Sequence, residues 1–264
     1  GKKHLIASVK RARNPGCKYD DILVLEGREG IRKSTAIQLL AGSEFFSDQT
    51  ILCVSDKECQ ELVSGVWLYE IADLTDIAKA DVNRVKAFAS RDTDRARPAY
   101  GRVIEKRPRR CVFWATTNDS TYLKSQTGNR RFLPVAVGKI DIEKMKNDRD
   151  QIWAEAAYRE HAGESIFLPE SLWAIAGEEQ EQRRMIDPWE DILSNIPKSI
   201  TDWGGGPEKK IVVTVENKER VSSKDLLTLV LKIPASQQTY FHSSKLATVM
   251  ERLGWKRPKG TFRI

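Results

Sequence analysis

The segment LEGREGIRKSTAI, residues 25–37, sets Gly27 and Gly30 in a short loop ahead of Lys33, Ser34 and Thr35. No other feature constrains the fold as tightly, because such a loop works where a strand hands the chain to a helix N-terminus. The flanks supply both elements. Asp21-Ile22-Leu23-Val24-Leu25 is a short apolar run of strand type, and residues 33–41 predict a helix stopping at Gly42. In this arrangement successive main-chain N–H groups curl around a phosphate, Lys33 reaches its outer oxygens, and the Ser34 hydroxyl, with Thr35 beside it, is placed for Mg²⁺. A glycine is expected directly before the lysine, where Arg32 stands. The Cβ of Arg32 resists torsions that glycine adopts freely, so strain and weakened nucleotide binding are expected from it.

Further along, Val66-Trp67-Leu68-Tyr69-Glu70 is an apolar run ending in a carboxylate. A strand of this kind delivers its acid to a metal or an attacking water, and Asp73 is close enough in sequence to share the role. Cys111 to Thr116 predicts another buried strand, ending at Thr117-Asn118, where the amide can orient a water near a terminal phosphate. The turn Gly128-Asn129-Arg130-Arg131 leads into a strand from Phe132; either arginine is a candidate finger acting across a subunit boundary. Each of these elements, taken alone, is also compatible with an ordinary strand end or surface turn.

Charge is distributed unevenly. Residues 84–110 hold ten Lys/Arg against three acids, and residues 209–264 twelve against four, whereas residues 141–191 hold fourteen acids against six bases. Two basic blocks point to a polyanion, with nucleic acid the usual one. Lys86, on a helix expected over 76–89, and Arg91, Arg95, Arg97 and Arg102, in a following loop or hairpin interrupted by Pro98 and Gly101, are the candidate contacts. The four cysteines form no CxxC pair and the three histidines are scattered, which argues against a zinc site or a Ser/His hydrolase. No apolar run reaches membrane-spanning length and no signal-peptide core is present, so no membrane partner and a cytoplasmic location are expected.

Three segments are expected: a core with an N-terminal extension over 1–140, an acidic helical segment over 141–186, and a C-terminal module over 187–264 containing the flexible run Trp203-Gly204-Gly205-Gly206-Pro207. In that module a strand near Ile211, helices from Ser222 and Ser243, and a basic tail suggest a small winged helix, with a plain helical cap as the rival.

The motifs PGCK, LEGREGIRKST, WLYEIADL, VKAFASRDTDRARPAYGR, CVFWATTN and YLKSQTGNRRFLPV, in this order over residues 5–140, resemble the virulence-associated E family, ATPases of phages and mobile elements related to superfamily 3 helicases. The resemblance implies an α/β P-loop NTPase core of the AAA+ type, ATP and Mg²⁺ as cofactors, and a ring-like homo-oligomer, hexameric in character, with sites at subunit interfaces. It assigns Lys33 and Ser34 to phosphate and Mg²⁺, Glu70 with Asp73 to the acid of the second strand, Asn118 to the sensing amide, and Arg130 or Arg131 to the finger in trans. It also implies that the block from Lys86 to Arg102 faces a nucleic-acid channel, and that a primase is a possible companion. The chain departs from the family pattern at Arg32, at Asp73 where glutamate is expected, and at Ser125 where aspartate is usual. The expected function is a DNA-dependent ATPase, a helicase or helicase loader in replication, on single- or double-stranded DNA. Its rivals are a nucleic-acid-binding protein with a decayed ATPase site and a P-loop small-molecule kinase.

Overall fold

Side chains of β1 (Ile22–Glu26) alternate between two cores: Ile22 and Val24 join one buried cluster, Leu23 and Leu25 another. A strand buried on both faces belongs in a layered unit with helices on each side of a parallel sheet. The computed structural model describes residues 1–50, 55–75, 78–96, 103–124, 128–201, 208–215 and 217–257, and the chain divides into two units, 1–185 and 186–264.

The first unit is built on a five-stranded sheet. After β1 come β2 (Phe46–Ser47), β3 (Leu68–Ile71), an antiparallel hairpin of β4 (Thr93–Ala96) and β5 (Glu105–Pro108), then β6 (Val112–Thr117) and β7 (Phe132–Ala136). The sheet runs β2-β3-β6-β1-β7 with every pairing parallel, and the hairpin lies outside it. The register sets Glu26 beside Thr117 and Ala136, so the C-terminal ends of the central strands share one edge. In parallel α/β sheets that edge, where the strand order reverses, is where ligands bind.

Helix α1 (Lys2–Arg13), α2 (Lys33–Ala41) and, beyond α3 (Asp56–Leu62) and α4 (Lys79–Ala89), α5 (Ile142–His161) surround Leu23, Leu25, Val112 and Trp114. Val82, Val85 and Phe88 of α4 cover Ile22, Val24 and Phe113 on the opposite face. The α6 helix (Trp173–Gln182) packs on β7, where Gln180 Nε2 donates to the Phe132 carbonyl at 2.9 Å. Residues 141–185 are therefore part of the first unit, their acids pairing back to α1 through Arg13–Glu160 and Lys3–Glu164. Several boundaries follow local chemistry: Gly42 ends α2 at φ 83°, and Ser55 with Glu58 forms a reciprocal cap on α3.

Two buried arginines anchor the hairpin. The Arg109 guanidinium is bidentate on Asp94, lies 4.2 Å over the Phe88 ring, and donates to the Phe88 carbonyl. Arg11, 1 % exposed, donates to the carbonyls of Cys111, Cys17 and Arg91. Part of the basic block thus serves the core rather than a polyanion.

The second unit holds α7 (Pro188–Ser194), capped by Asp187, the two-residue pair β8 (Ser199–Ile200) and β9 (Lys209–Lys210), the antiparallel pair β10 (Val212–Val215) and β11 (Lys218–Val221), then α8 (Ser223–Asp225), which continues as a π-turn over Leu226–Val230, and α9 (Tyr240–Arg252). Leu193, Ile211, Leu226, Leu227, Leu246 and Val249 form its core. The last helix begins three residues before the expected Ser243, because Thr239 and His242 cap one another. Trp255 to Arg257 form no strand, and the rest of the basic tail, like the 203–207 run, lies outside the described residues. No helix among the described residues is long and apolar enough to cross a membrane.

Removing one partner of a buried ion pair strands the other. Asp94→Ala is expected to cost about 3–5 kcal/mol in urea unfolding, whereas Glu105→Ala, which breaks the exposed pair with Arg107, is expected to cost less than about 1 kcal/mol.

Candidate functional site

At the shared strand edge the chain leaves β1 through Gly27, whose N–H donates to the Thr117 carbonyl at 3.2 Å. A Cβ on Gly27 would stand 2.5 Å from Ile31 Cδ1 and 2.7 Å from the Val137 carbonyl, so close approach requires glycine there. Gly30 takes φ 77° and Arg32 φ 70°, ψ 37° as the residue before α2. The arginine thus occupies the left-handed well that glycine occupies without penalty, at a cost of about 1–2 kcal/mol, and the loop keeps its turn. Arg32 itself is exposed, as are Ser34 and Thr35 at the open start of α2, whose first N–H groups lack intrahelical acceptors.

Lys33 is folded back into this loop. Its ammonium donates to the Gly27 carbonyl at 2.7 Å, the Arg28 carbonyl at 3.0 Å and Asn118 Oδ1 at 2.8 Å. Burial lowers its pKa, against the opposing pull of Asp73, Glu29 and Glu70. Ser34 Oγ donates to Glu70 Oε1 at 2.7 Å, and Thr116 Oγ1 donates to the same oxygen at 2.7 Å. Glu70 is 1 % exposed and its other oxygen, Oε2, is buried without a hydrogen-bond partner. Burial raises its carboxyl pKa above the ordinary 4.5, opposed by the two hydroxyl bonds and reinforced by the charges of Asp48 and Asp73. Four residues expected from the sequence therefore form two hydrogen-bonded pairs at the start of α2, Lys33 with Asn118 and Ser34 with Glu70.

The other expected residues are placed as follows. Asp73 is exposed at φ 47°, close enough to act electrostatically on Lys33. Arg130 and Arg131 precede β7 at its start, beside Ile22, at the opposite end of the sheet from Gly27. Arg131 is bound to Asp20 at 2.9 Å, while Arg130 is exposed. Lys86, expected among the nucleic-acid contacts, is instead 5 % exposed: its ammonium donates to Asn129 Oδ1 at 3.0 Å, 5.5 Å from the Phe132 ring centroid. Desolvation and the neighbouring Arg131 charge push its pKa down to about 8. It faces inward because α4 turns its Val82, Val85 and Lys86 side toward the sheet. Arg91 lies over the Phe88 ring and Arg95 is exposed on β4, whereas Arg97, Arg102 and Ser125 are outside the described residues.

Sequence reasoning missed a second polar layer. Glu26, the last residue of β1, accepts from Tyr122 Oη at 2.6 Å and from the Arg183 guanidinium, which also binds Glu179. Burial and this bond raise the Tyr122 pKa. The Arg183 carbonyl accepts from the N–H groups of Tyr122 and Leu123, tying the end of α6 to the segment after Asn118. Thr116 and the Thr75–Thr117 hydroxyl pair at 2.8 Å complete the lining. Consecutive threonines at the end of an apolar run were a readable signal; Arg183, inside an acidic stretch, gave none.

Glu70, with its orphaned oxygen beside a serine hydroxyl, and a glycine loop at a helix N-terminus fit an anion bound together with a divalent ion. Among the described residues no three His, Cys, Asp or Glu side chains converge to hold a metal by themselves. One carboxylate and one hydroxyl, Glu70 and Ser34, are the donors a divalent ion would find there.

The family model described as the virulence-associated protein E-like domain matches residues 1–185. No curated protein matches this chain. Among solved structures, the A-form apo structure of the NrS-1 C-terminal region (305–718) is 12% identical, covering 74% of this chain and 49% of that one, at TM-score 0.45. Another A-form apo structure of that region is 13% identical over 68% and 47%, at TM-score 0.45. An apo structure of NrS-1 (305–718) is 11% identical over 95% and 61%, at TM-score 0.43. The chain spans about half the length of the first two.

The raised Glu70 pKa has a defined sign. The folded chain holds that proton more tightly than the unfolded chain, so the associated stability is present below the ordinary value of 4.5 and is lost as pH rises through the folded-state value. Glu70→Gln is expected to remove this loss, narrowing the stability difference between pH 4 and pH 7 in denaturant titrations; an unchanged difference would place its origin elsewhere.

Proposed function

The chain belongs to the virulence-associated protein E-like domain family, and from that premise we propose that it is a nucleic-acid-dependent ATPase of P-loop type. The observation that carries the reading is the Ser34–Glu70 hydrogen bond at 2.7 Å, from the first turn of α2 to a separate strand, with the neighbouring Lys33 ammonium on the Gly27 and Arg28 carbonyls of the loop and on Asn118 at 2.7–3.0 Å. Phosphate oxygens bind the N–H groups at the start of α2, and Lys33 exchanges its Gly27 and Arg28 carbonyls for them. Mg²⁺ would be held by Ser34 and Glu70 and would neutralise phosphoryl charge as it is transferred. Thr116 and Ser34 fix Oε1 of Glu70, leaving Oε2 to accept a proton or hydrogen bond from the attacking water. Asn118, already on Lys33, orients that water.

The sheet supports a site shared between copies. Arg130 stands about 13 Å, four residues of strand rise, from the end of β1 where the loop begins, so it acts in trans rather than on its own loop. Arg131 is committed to Asp20, which leaves Arg130 as the finger of a ring-like oligomer. The hairpin β4–β5, anchored by Arg109 and carrying exposed Arg95, Lys106 and Arg107, faces nucleic-acid backbone. The corresponding cellular role is replication of a phage or mobile element, as helicase or helicase loader, with a primase as the companion activity.

ATP hydrolysis with and without single-stranded DNA tests this reading. Weak native turnover stimulated by DNA is expected, Arg32→Gly should raise it by removing the Cβ and side chain that crowd a phosphate approaching the loop, and Lys33→Ala should abolish it. Turnover surviving Lys33→Ala would misplace the site; salt-sensitive DNA binding with no turnover in any form would favour a binding protein with a decayed ATPase.

A further inference from the structure

In the second unit α9 directs two large rings into solvent: Tyr240 is 88 % exposed and Phe241 68 %. The buried positions of this helix are Leu246, Val249 and Met250, with His242 stacked on Trp189 at 6.0 Å between centroids. Helical periodicity puts residues 240, 241, 244 and 248 on the opposite side, so neither ring is recruited to the core. The Thr239–His242 cap and the His242–Trp189 stack fix this first turn, and the rings are presented from an ordered backbone. Each forgoes roughly 2–3 kcal/mol of burial.

The charge around them selects a partner. Residues 186–264 hold thirteen Lys/Arg against nine acids; none of the acids falls between Asp225 and Glu251, while Asp187 and Glu190 of α7 pair with Lys245 and Arg252 of α9. Ser243 and Ser244, exposed in the same turn, add hydroxyls beside the rings. Two exposed rings on consecutive residues, hydroxyls and a net excess of cations match a polyanion with exposed flat bases. A duplex keeps its bases stacked on one another, and a second copy of this chain would bring two basic surfaces together.

We propose that Tyr240 and Phe241 form a stacking platform for unstacked bases of a single-stranded nucleic acid, whose backbone is held by the basic residues of the second unit. Stacking is tolerant of base identity, so binding is sequence-independent. The platform lies outside the first unit's site and stands whether or not that unit hydrolyses ATP.

Fluorescence anisotropy of labelled oligothymidylate and oligouridylate on the full chain, across a salt series, provides the test. Both side chains are exposed, so Tyr240→Ala/Phe241→Ala should keep the native circular dichroism spectrum. It should weaken binding about tenfold or more at every salt concentration, with the slope of log affinity against log salt unchanged. Tyr240→Trp/Phe241→Trp should retain native affinity. Native affinity in the alanine variant overturns the proposal, as does a loss confined to the salt slope, absence of binding by the native chain, or a change in sedimentation without loss of affinity, which would make the rings a contact between copies.

Discussion

The 2.7 Å hydrogen bond from Ser34 Oγ to Glu70 Oε1 joins two elements that are not neighbours in the sheet. Ser34 follows β1 and Glu70 lies in β3, with β6 between them. The bond therefore exists because three strands end together at one edge, and Thr116 of the intervening strand donates to the same oxygen. Parallel register, burial on both faces and the inward turn of Lys33 all serve that convergence. The cost is a buried carboxylate with one unsatisfied oxygen, a group that hydration or a ligand would relieve.

Around this point the molecule uses charge in two ways. Some cations are structural: Arg11, Arg109 and Lys86 are desolvated and paired with carbonyls, a carboxylate or an amide. Others, such as Arg95 and Arg130, stay at the surface. Sequence composition counts both kinds alike, so Lys86, buried beside Asn129, falls in the same basic block as exposed Arg95. Burial separates them: a cation kept in the interior needs local acceptors, and those acceptors occupy it.

Much of the first unit was legible from local pattern. The apolar run of β1, the glycine loop and the helix ending at Gly42 follow from residue spacing alone, as does the Ser55 cap, because each is set by neighbours in sequence. What depended on long-range pairing was not legible. Arg183 reaches Glu26 from 157 positions away, and nothing near it marks the role. Helix α1 has no side-chain cap, and its buried residues include His4, Ser8 and Arg11, so no clean apolar stripe announces it. The parallel register that sets Arg130 at the opposite end of β1 from Gly27 is likewise a property of the sheet.

Arg32 shifts the question from fold to occupancy. At φ 70° it holds the turn that a glycine would hold, so the loop's shape survives the substitution and its affinity is what remains to be measured. The most direct measurement is amide hydrogen exchange of residues 27–35, followed with and without magnesium ATP. A nucleotide seated in this loop should slow exchange there and at Asn118, and Lys33→Ala should abolish the effect. Unchanged exchange at saturating nucleotide would contradict the account, whatever the chain binds elsewhere.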